Sequence, residues 1–109
     1  MPNQAWTALP NGHLDWFNEQ VYIYSGHREG ALDGAGWAIM VHDDDISASS
    51  DRWSAALESG ETYQNEFRLR RSDGAYRWHL TRAVPIKDEQ GRVTRWVGTN
   101  TDIHDQKEA

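Results

Sequence analysis

The stretch from Tyr63 to Ile103, YQNEFRLRRSDGAYRWHLTRAVPIKDEQGRVTRWVGTNTDI, leaves little choice of architecture, because it is written almost entirely in strand and hairpin chemistry. From Glu66 to Arg71 apolar and polar residues alternate, with Phe67 and Leu69 on one side and Glu66, Arg68 and Arg70 on the other. Ser72-Asp73-Gly74 reads as a tight turn, a two-residue hairpin loop in which glycine takes the positive φ. A second β-rich run, Tyr76 to Ile86, is closed by Asp88-Glu89-Gln90-Gly91, and a third, Val93 to Thr101, ends in Asp102-Ile103-His104. Three long antiparallel strands in succession make a meander, and the short elements upstream must pack on it.

Upstream, Ala5 to Leu9 is a candidate strand ended by the turn signal Pro10-Asn11-Gly12, with His13 to Phe17 as its hairpin partner. Asn18 is placed to cap a helix over Glu19 to Ser25, stopped by Gly26, with Val21, Tyr22 and Tyr24 on its buried side. His27 to Gly36 holds three glycines and little periodicity, which predicts a short turn of helix and loops. Trp37 to Val41 is apolar and is broken by His42-Asp43-Asp44-Asp45. Ser47 or Ser49 is the expected cap of the next helix, which runs to about Ser59 and stops at Gly60. Trp53, Ala56 and Leu57 give that helix one apolar face to lay across the sheet. The order predicts an α+β fold, a five-stranded antiparallel sheet with helices on one face, since the N-terminal strands must join the meander to leave no wide unpaired edge.

The 109 residues suit a single domain, 1–109. The abrupt start, and a tail that turns polar and helix-forming at Asp105, suggest a domain cut from a longer protein. No apolar run approaches the ~20 residues of a membrane span, and no signal-peptide core follows Met1, so a cytoplasmic chain without membrane contact is expected. The net charge of -6 speaks against nucleic acid as a partner. Arg68, Arg70, Arg71, Arg77 and Arg82 cluster locally, either as a solvated sheet edge paired with carboxylates or as a phosphate site. With no cysteine, disulfides, thiolate metal sites and cysteinyl adducts are excluded. The six tryptophans, Trp6, Trp16, Trp37, Trp53, Trp78 and Trp96, serve either to fill a small core or to wall a pocket for a planar ligand.

Three segments carry a resemblance to a known family. GHREGALDGAGWAIMVHDD (Gly26 to Asp44) is similar to the glycine-helix-glycine-Trp-x3-Val-His-Pro-Asp-Asp run of PAS domains, with Asp43 in place of the proline. Gly60 to Pro85, including EFRLRRSDGAYRWHLTRAVP, resembles the family's strand-hairpin-strand signature. GRVTRWVGTNTDIHDQK (Gly91 to Lys107) resembles its last strand and its PAC-type Asp-Ile-Thr exit motif, with His104 where threonine is usual. The match is to the bacterial sensory subclass found in sensor histidine kinases. It implies a sheet and helical cap enclosing a pocket, a sensory or dimerising role, and signal output to a C-terminal effector such as a histidine kinase. Asp102, Ile103 and His104 become the signal exit; His104 brings an imidazole, bulkier than a threonine and of a kind that titrates near neutral pH.

Catalysis is not expected. The five histidines form no i, i+3 or i+4 pair on a credible helix, and no hydrolase, nucleotide or dinucleotide motif is present. His42 and Asp43 to Asp45 are either a hard-cation site or a charge cluster favoured by the dipole of the following helix; no metal site is assigned. The resemblance disfavours a cysteinyl flavin, for want of cysteine, and haem, because Ser47 to Ser59 lacks a histidine. The cofactor stays unknown. Carried over with strand parity, the resemblance proposes Trp6, Ala8, Trp53, Leu57, Phe67, Leu69, Arg77, His79, Thr81, Trp96 and Asn100 as a ligand lining, with Ala83 and Gly98 in the same rows. Internal hydrogen bonding would equally account for His79 and Asn100. The opposite face, Tyr76, Trp78 and Leu80, asks for cover by a flanking helix or another protomer, and a homodimer through it is expected. Two readings follow. A small-molecule sensor needs a cavity of about 300 Å3 or more; a ligand-free dimerisation and relay module needs a core closed by its own side chains.

Overall fold

The computed structural model describes residues 3–108. Five strands, β1 (Gln4–Ala8), β2 (Leu14–Phe17), β3 (Tyr63–Arg70), β4 (Tyr76–Lys87) and β5 (Val93–Asp102), form one sheet in the order β2-β1-β5-β4-β3. Every neighbouring pair is antiparallel. Helices α1 (Glu19–Ser25) and α2 (Asp43–Ser59), with a 3-10 helix at Gly34–Met40, cover one face, and α3 (His104–Glu108) follows β5. The α+β expectation holds, including the entry of both N-terminal strands into the meander's sheet.

Local chemistry explains the boundaries. Asn18 caps α1, its side-chain oxygen accepting from the N–H groups of Val21 (3.3 Å) and Ala5 (3.0 Å), so one residue fixes both a helix start and its seat on β1. Neither Ser47 nor Ser49 caps α2. The helix begins a turn earlier at Asp43, with His42 Nδ1 accepting from the Asp44 N–H at 3.1 Å and three aspartates in the first turn, where the helix dipole favours them. Ser49 is buried inside the helix instead, its hydroxyl accepting from Asn65. The glycine-rich stretch after Gly26 closes into the 3-10 helix, which carries the apolar run through Met40. The β3–β4 turn holds three residues, not two: Arg71 N–H donates to Ala75 O (2.7 Å), and Gly74 takes φ +93° inside the loop.

The core lies between the sheet and its helical cap. Trp6, Ala8, Val21, Leu32, Val41, Phe67, Leu69, Ala83 and Trp96 are all buried in it. Trp53 of α2 is its hub, meeting the rings of Trp6, Tyr63 and Trp96 edge to face at 5.7, 5.2 and 5.1 Å. Trp6 can lie on β5 because the residue beneath it is Gly98, where a Cβ would sit 2.3 Å from the indole. No helix among the described residues is long and apolar enough to cross a membrane.

Candidate functional site

Between the sheet and the cap the core leaves a cavity of about 40 Å3, lined by Trp6, Leu14, Phe17, Trp37, Met40, Trp53, Tyr63, Phe67, Leu69, Thr81 and Asn100. Six of the residues read from the sequence, Trp6, Trp53, Phe67, Leu69, Thr81 and Asn100, meet there. Ala8 and Trp96 are fully buried in the core behind it, and half-buried Leu57 packs against the same core. Strand parity missed Leu14, Phe17, Trp37 and Met40, which reach the cavity from β2 and the 3-10 helix. Tyr63 was legible, since it shares parity with Phe67 and Leu69 once β3 is started at its true first residue.

The polar floor is a closed hydrogen-bond network. Asn100 Oδ1 accepts from Trp6 Nε1 (3.1 Å) and Thr81 Oγ1 (2.9 Å), while its amide nitrogen reaches Gln4 Oε1 (3.4 Å). His79 Nδ1 lies 2.9 Å from the Arg77 carbonyl, an acceptor only, so Nδ1 carries the proton; Nε2 then accepts from Gln4 Nε2 at 3.2 Å. Burial holds the imidazole below its ordinary pKa and keeps it neutral, despite the hydrogen bond to Arg77 O and the nearby Asp102 carboxylate. Tyr24 meets the His79 ring edge to face at 5.0 Å and donates to Leu69 O at 2.7 Å. Its hydroxyl is pushed far above the usual phenol range by burial, with Asp102 adding to the effect. Among the described residues, Trp96 Nε1 is the buried side-chain polar atom without a hydrogen-bond partner.

Arg77 has the parity of His79 and Thr81, but its length carries the guanidinium to the end of the sheet. There Nε donates to Asp102 Oδ2 (2.6 Å) and Nη2 to Asp105 Oδ1 (3.3 Å). Burial raises the Asp102 carboxyl, but the hydrogen bonds from Arg77 and the His104 N–H outweigh it and hold the group below the usual carboxylate range. Asp102 Oδ1 also caps α3 through His104 N–H (2.9 Å). The predicted exit residues therefore form one joint: Ile103 N–H donates to Trp78 O (2.9 Å), and His104 Nδ1 accepts from Trp78 N–H (3.2 Å).

On the other face of the sheet, Trp78 is covered from within the chain. The Arg68 guanidinium and Lys107 ammonium lie 5.0 and 4.8 Å from the ring centroid, and Lys107 pairs with Glu66 at 2.6 Å. The cover expected of a flanking helix or another protomer is supplied at Trp78 by Lys107 of α3 and Arg68 of β3. What stays open is a row further across the sheet, Trp16, Thr7, Val97 and Val84, placed side by side by the register. Trp16 is 50% and Val97 40% exposed, with Ile86 nearby on β4 at 46%. The basic cluster is largely paired: Arg68 with Asp45, Arg71 with Asp73, Arg77 with Asp102. No group of three or more metal-ligating side chains gathers among the described residues.

A sheet in this strand order, with short helices and one long helix capping a small core, is a family architecture, and the comparisons agree. The model of the PAS fold matches residues 14–100. The chain is 36% identical over 108 residues to the peroxide stress-activated histidine kinase mak1 of Schizosaccharomyces pombe, covering 98% of this chain and 6% of that protein. It is 35% identical over 106 residues to the uncharacterized protein y4lL of Sinorhizobium fredii, covering 97% and 13%. Among solved structures, the N-terminal domain of a diguanylate cyclase with PAS/PAC sensor from Marinobacter aquaeolei superposes with a TM-score of 0.84 at 19% identity, over 97% of this chain and 99% of that one. The chain belongs to the PAS-fold family. It spans only 13% and 6% of the length of these two curated relatives.

Proposed function

We propose that this chain is a sensory relay domain that passes a change in its core or partner to a C-terminal effector, and that it works with its core closed by its own side chains. The cavity of about 40 Å3 carries this reading. That volume accommodates a few waters at most, against the 300 Å3 and more of sites that take organic ligands. Eight of its eleven lining side chains, Trp6, Leu14, Phe17, Trp37, Trp53, Tyr63, Phe67 and Leu69, are large aromatics or leucines, and its polar floor is internally paired. Output runs through the Asp102–His104 joint. The relative from Schizosaccharomyces pombe is named as a histidine kinase, and a kinase is one kind of effector that fits. The domain itself is non-catalytic in this reading.

Native mass spectrometry of the purified chain tests it. The expected masses are those of the polypeptide alone or its dimer, and a thermal-shift screen of aromatic and small polar compounds should leave the melting temperature unmoved. A stoichiometric co-purified molecule, or a compound that raises the melting temperature in proportion to its concentration, would instead establish the small-molecule sensor.

A second observation supports a homodimer through the open sheet face. Trp16, Val97 and Ile86 are exposed apolar side chains on that face, and they take the place of the Tyr76, Trp78 and Leu80 centre expected from parity.

A further inference from the structure

The exit joint depends on an imidazole nitrogen that accepts a backbone hydrogen bond and so must carry no proton. Trp78 offers both backbone groups of one residue to the exit segment, its C=O accepting from Ile103 N–H at 2.9 Å and its N–H donating to His104 Nδ1 at 3.2 Å. A hydroxyl in that place could accept at any ordinary pH, whereas an imidazole accepts at Nδ1 only when that nitrogen carries no proton. We propose that His104 makes the docking of α3 pH-dependent: the exit helix is latched onto β4 while the imidazole is neutral and is released when it takes up a proton.

The charges around the ring define what release involves. From β4 come the Arg77 guanidinium and the neutral, buried His79; from β5 comes the Asp102 carboxylate; α3 itself contributes Asp105 and Lys107. Asp102 is already engaged twice by Arg77 and once by the His104 N–H. Asp105 takes the second Arg77 nitrogen, and Lys107 is held by Glu66 and the face of Trp78. A protonated Nδ1 would confront the Trp78 N–H donor to donor. The new N–H finds an acceptor only by turning from the Trp78 amide toward Asp102, Asp105 or solvent, which takes the ring away from β4. His104 is half-buried, so protons reach it without unfolding the core. Acidification undoes one of the two Trp78 backbone bonds while the sheet stays intact. The consequence for an effector rests on the relay reading; the latch itself does not.

The test follows the Trp78 amide of the 15N-labelled chain by NMR from about pH 8 to about pH 5. The expected result is a one-proton transition in its shift, with the midpoint of the His104 imidazole in the same sample, and a loss of about three- to tenfold in exchange protection at Trp78 and through α3. His104→Asn, whose Oδ1 accepts without titrating, should abolish the transition and keep Trp78 protected; His79→Gln should leave it in place. A flat Trp78 profile, the same transition in H104N, or an imidazole carrying its proton on Nδ1 at the upper pH would each overturn the latch. The last is read from the unaltered chain and decides even if a variant fails to fold. Because the readout is α3 docking, a negative result leaves the relay reading standing.

Discussion

At the scale of single residues, two positions govern the core. Gly98 is needed for close approach: its Cβ would fall 2.3 Å from the Trp6 indole, which itself is held by Asn100. Gly98→Ala should destabilise the chain by about 1–3 kcal/mol in urea unfolding, through overpacking rather than any loss of contact. Unchanged stability would show that the ring can move aside. His79 governs pH dependence. Its folded pKa lies below the unfolded value of 6.5, so between the two the unfolded chain binds more protons. The stability its neutral form supplies is complete above that value and is lost as pH falls through the lowered folded pKa. The urea midpoint should drop on moving from neutral toward pH 5, and H79Q should flatten that slope. Both residues were found by strand parity, but Gly98 only as a row member; that a glycine there seats a tryptophan depends on a neighbouring strand's side chain, which alternation within one strand does not encode.

Among the elements, two joints tie helix to sheet through Arg–Asp pairs. Asp45, in the first turn of α2, accepts from the Arg68 backbone N–H, Nε and Nη2 at 2.9, 3.0 and 2.9 Å. These Arg68 bonds hold its carboxyl below the usual range against opposing burial. Asp45→Ala should cost about 2 kcal/mol at neutral pH, with the deficit relative to the unaltered chain shrinking as pH falls below 3.8 toward the lowered pKa. The second joint is Arg77–Asp102. Asp102→Asn should raise exchange through α3 in hydrogen-exchange mass spectrometry with little change in the central strands; protection unaltered in α3 would mean that His104 and Lys107 suffice. The meander and α1 were legible because alternation, turn residues and an Asn cap are local signals. The start of α2 was misplaced because serine is a far commoner cap than histidine, although three successive aspartates marked the true first turn. The cavity's cap side was illegible: Trp37 and Met40 sit on a 3-10 helix in a glycine-rich stretch, where no period of 2 or 3.6 exists to assign faces.

For the whole molecule, the sheet has one face sealed by helices and one partly covered by α3, leaving the row through Trp16 and Val97 open. If that row seats a second copy, Trp16→Glu combined with Val97→Lys should give a monomer in sedimentation velocity with an essentially unchanged far-UV spectrum; an oligomer that persists would place the contact elsewhere. The strand order has a consequence for how the chain acquires its structure. β1, within the first ten residues, lies between β2 and β5, and Gln4 is paired with Asn100. The β3–β4 and β4–β5 hairpins can zip locally, but the β1–β5 seam joins Gln4–Ala8 to Trp96–Asn100, segments far apart in sequence. Closing it incurs the entropy of a loop nearly as long as the chain, so folding should be limited by this one late, non-local docking and proceed in milliseconds or slower. A nascent chain on the ribosome would hold β1 and β2 unpaired against the meander until β5 has emerged, with Trp6 lacking its seat on Gly98 for the whole of that interval.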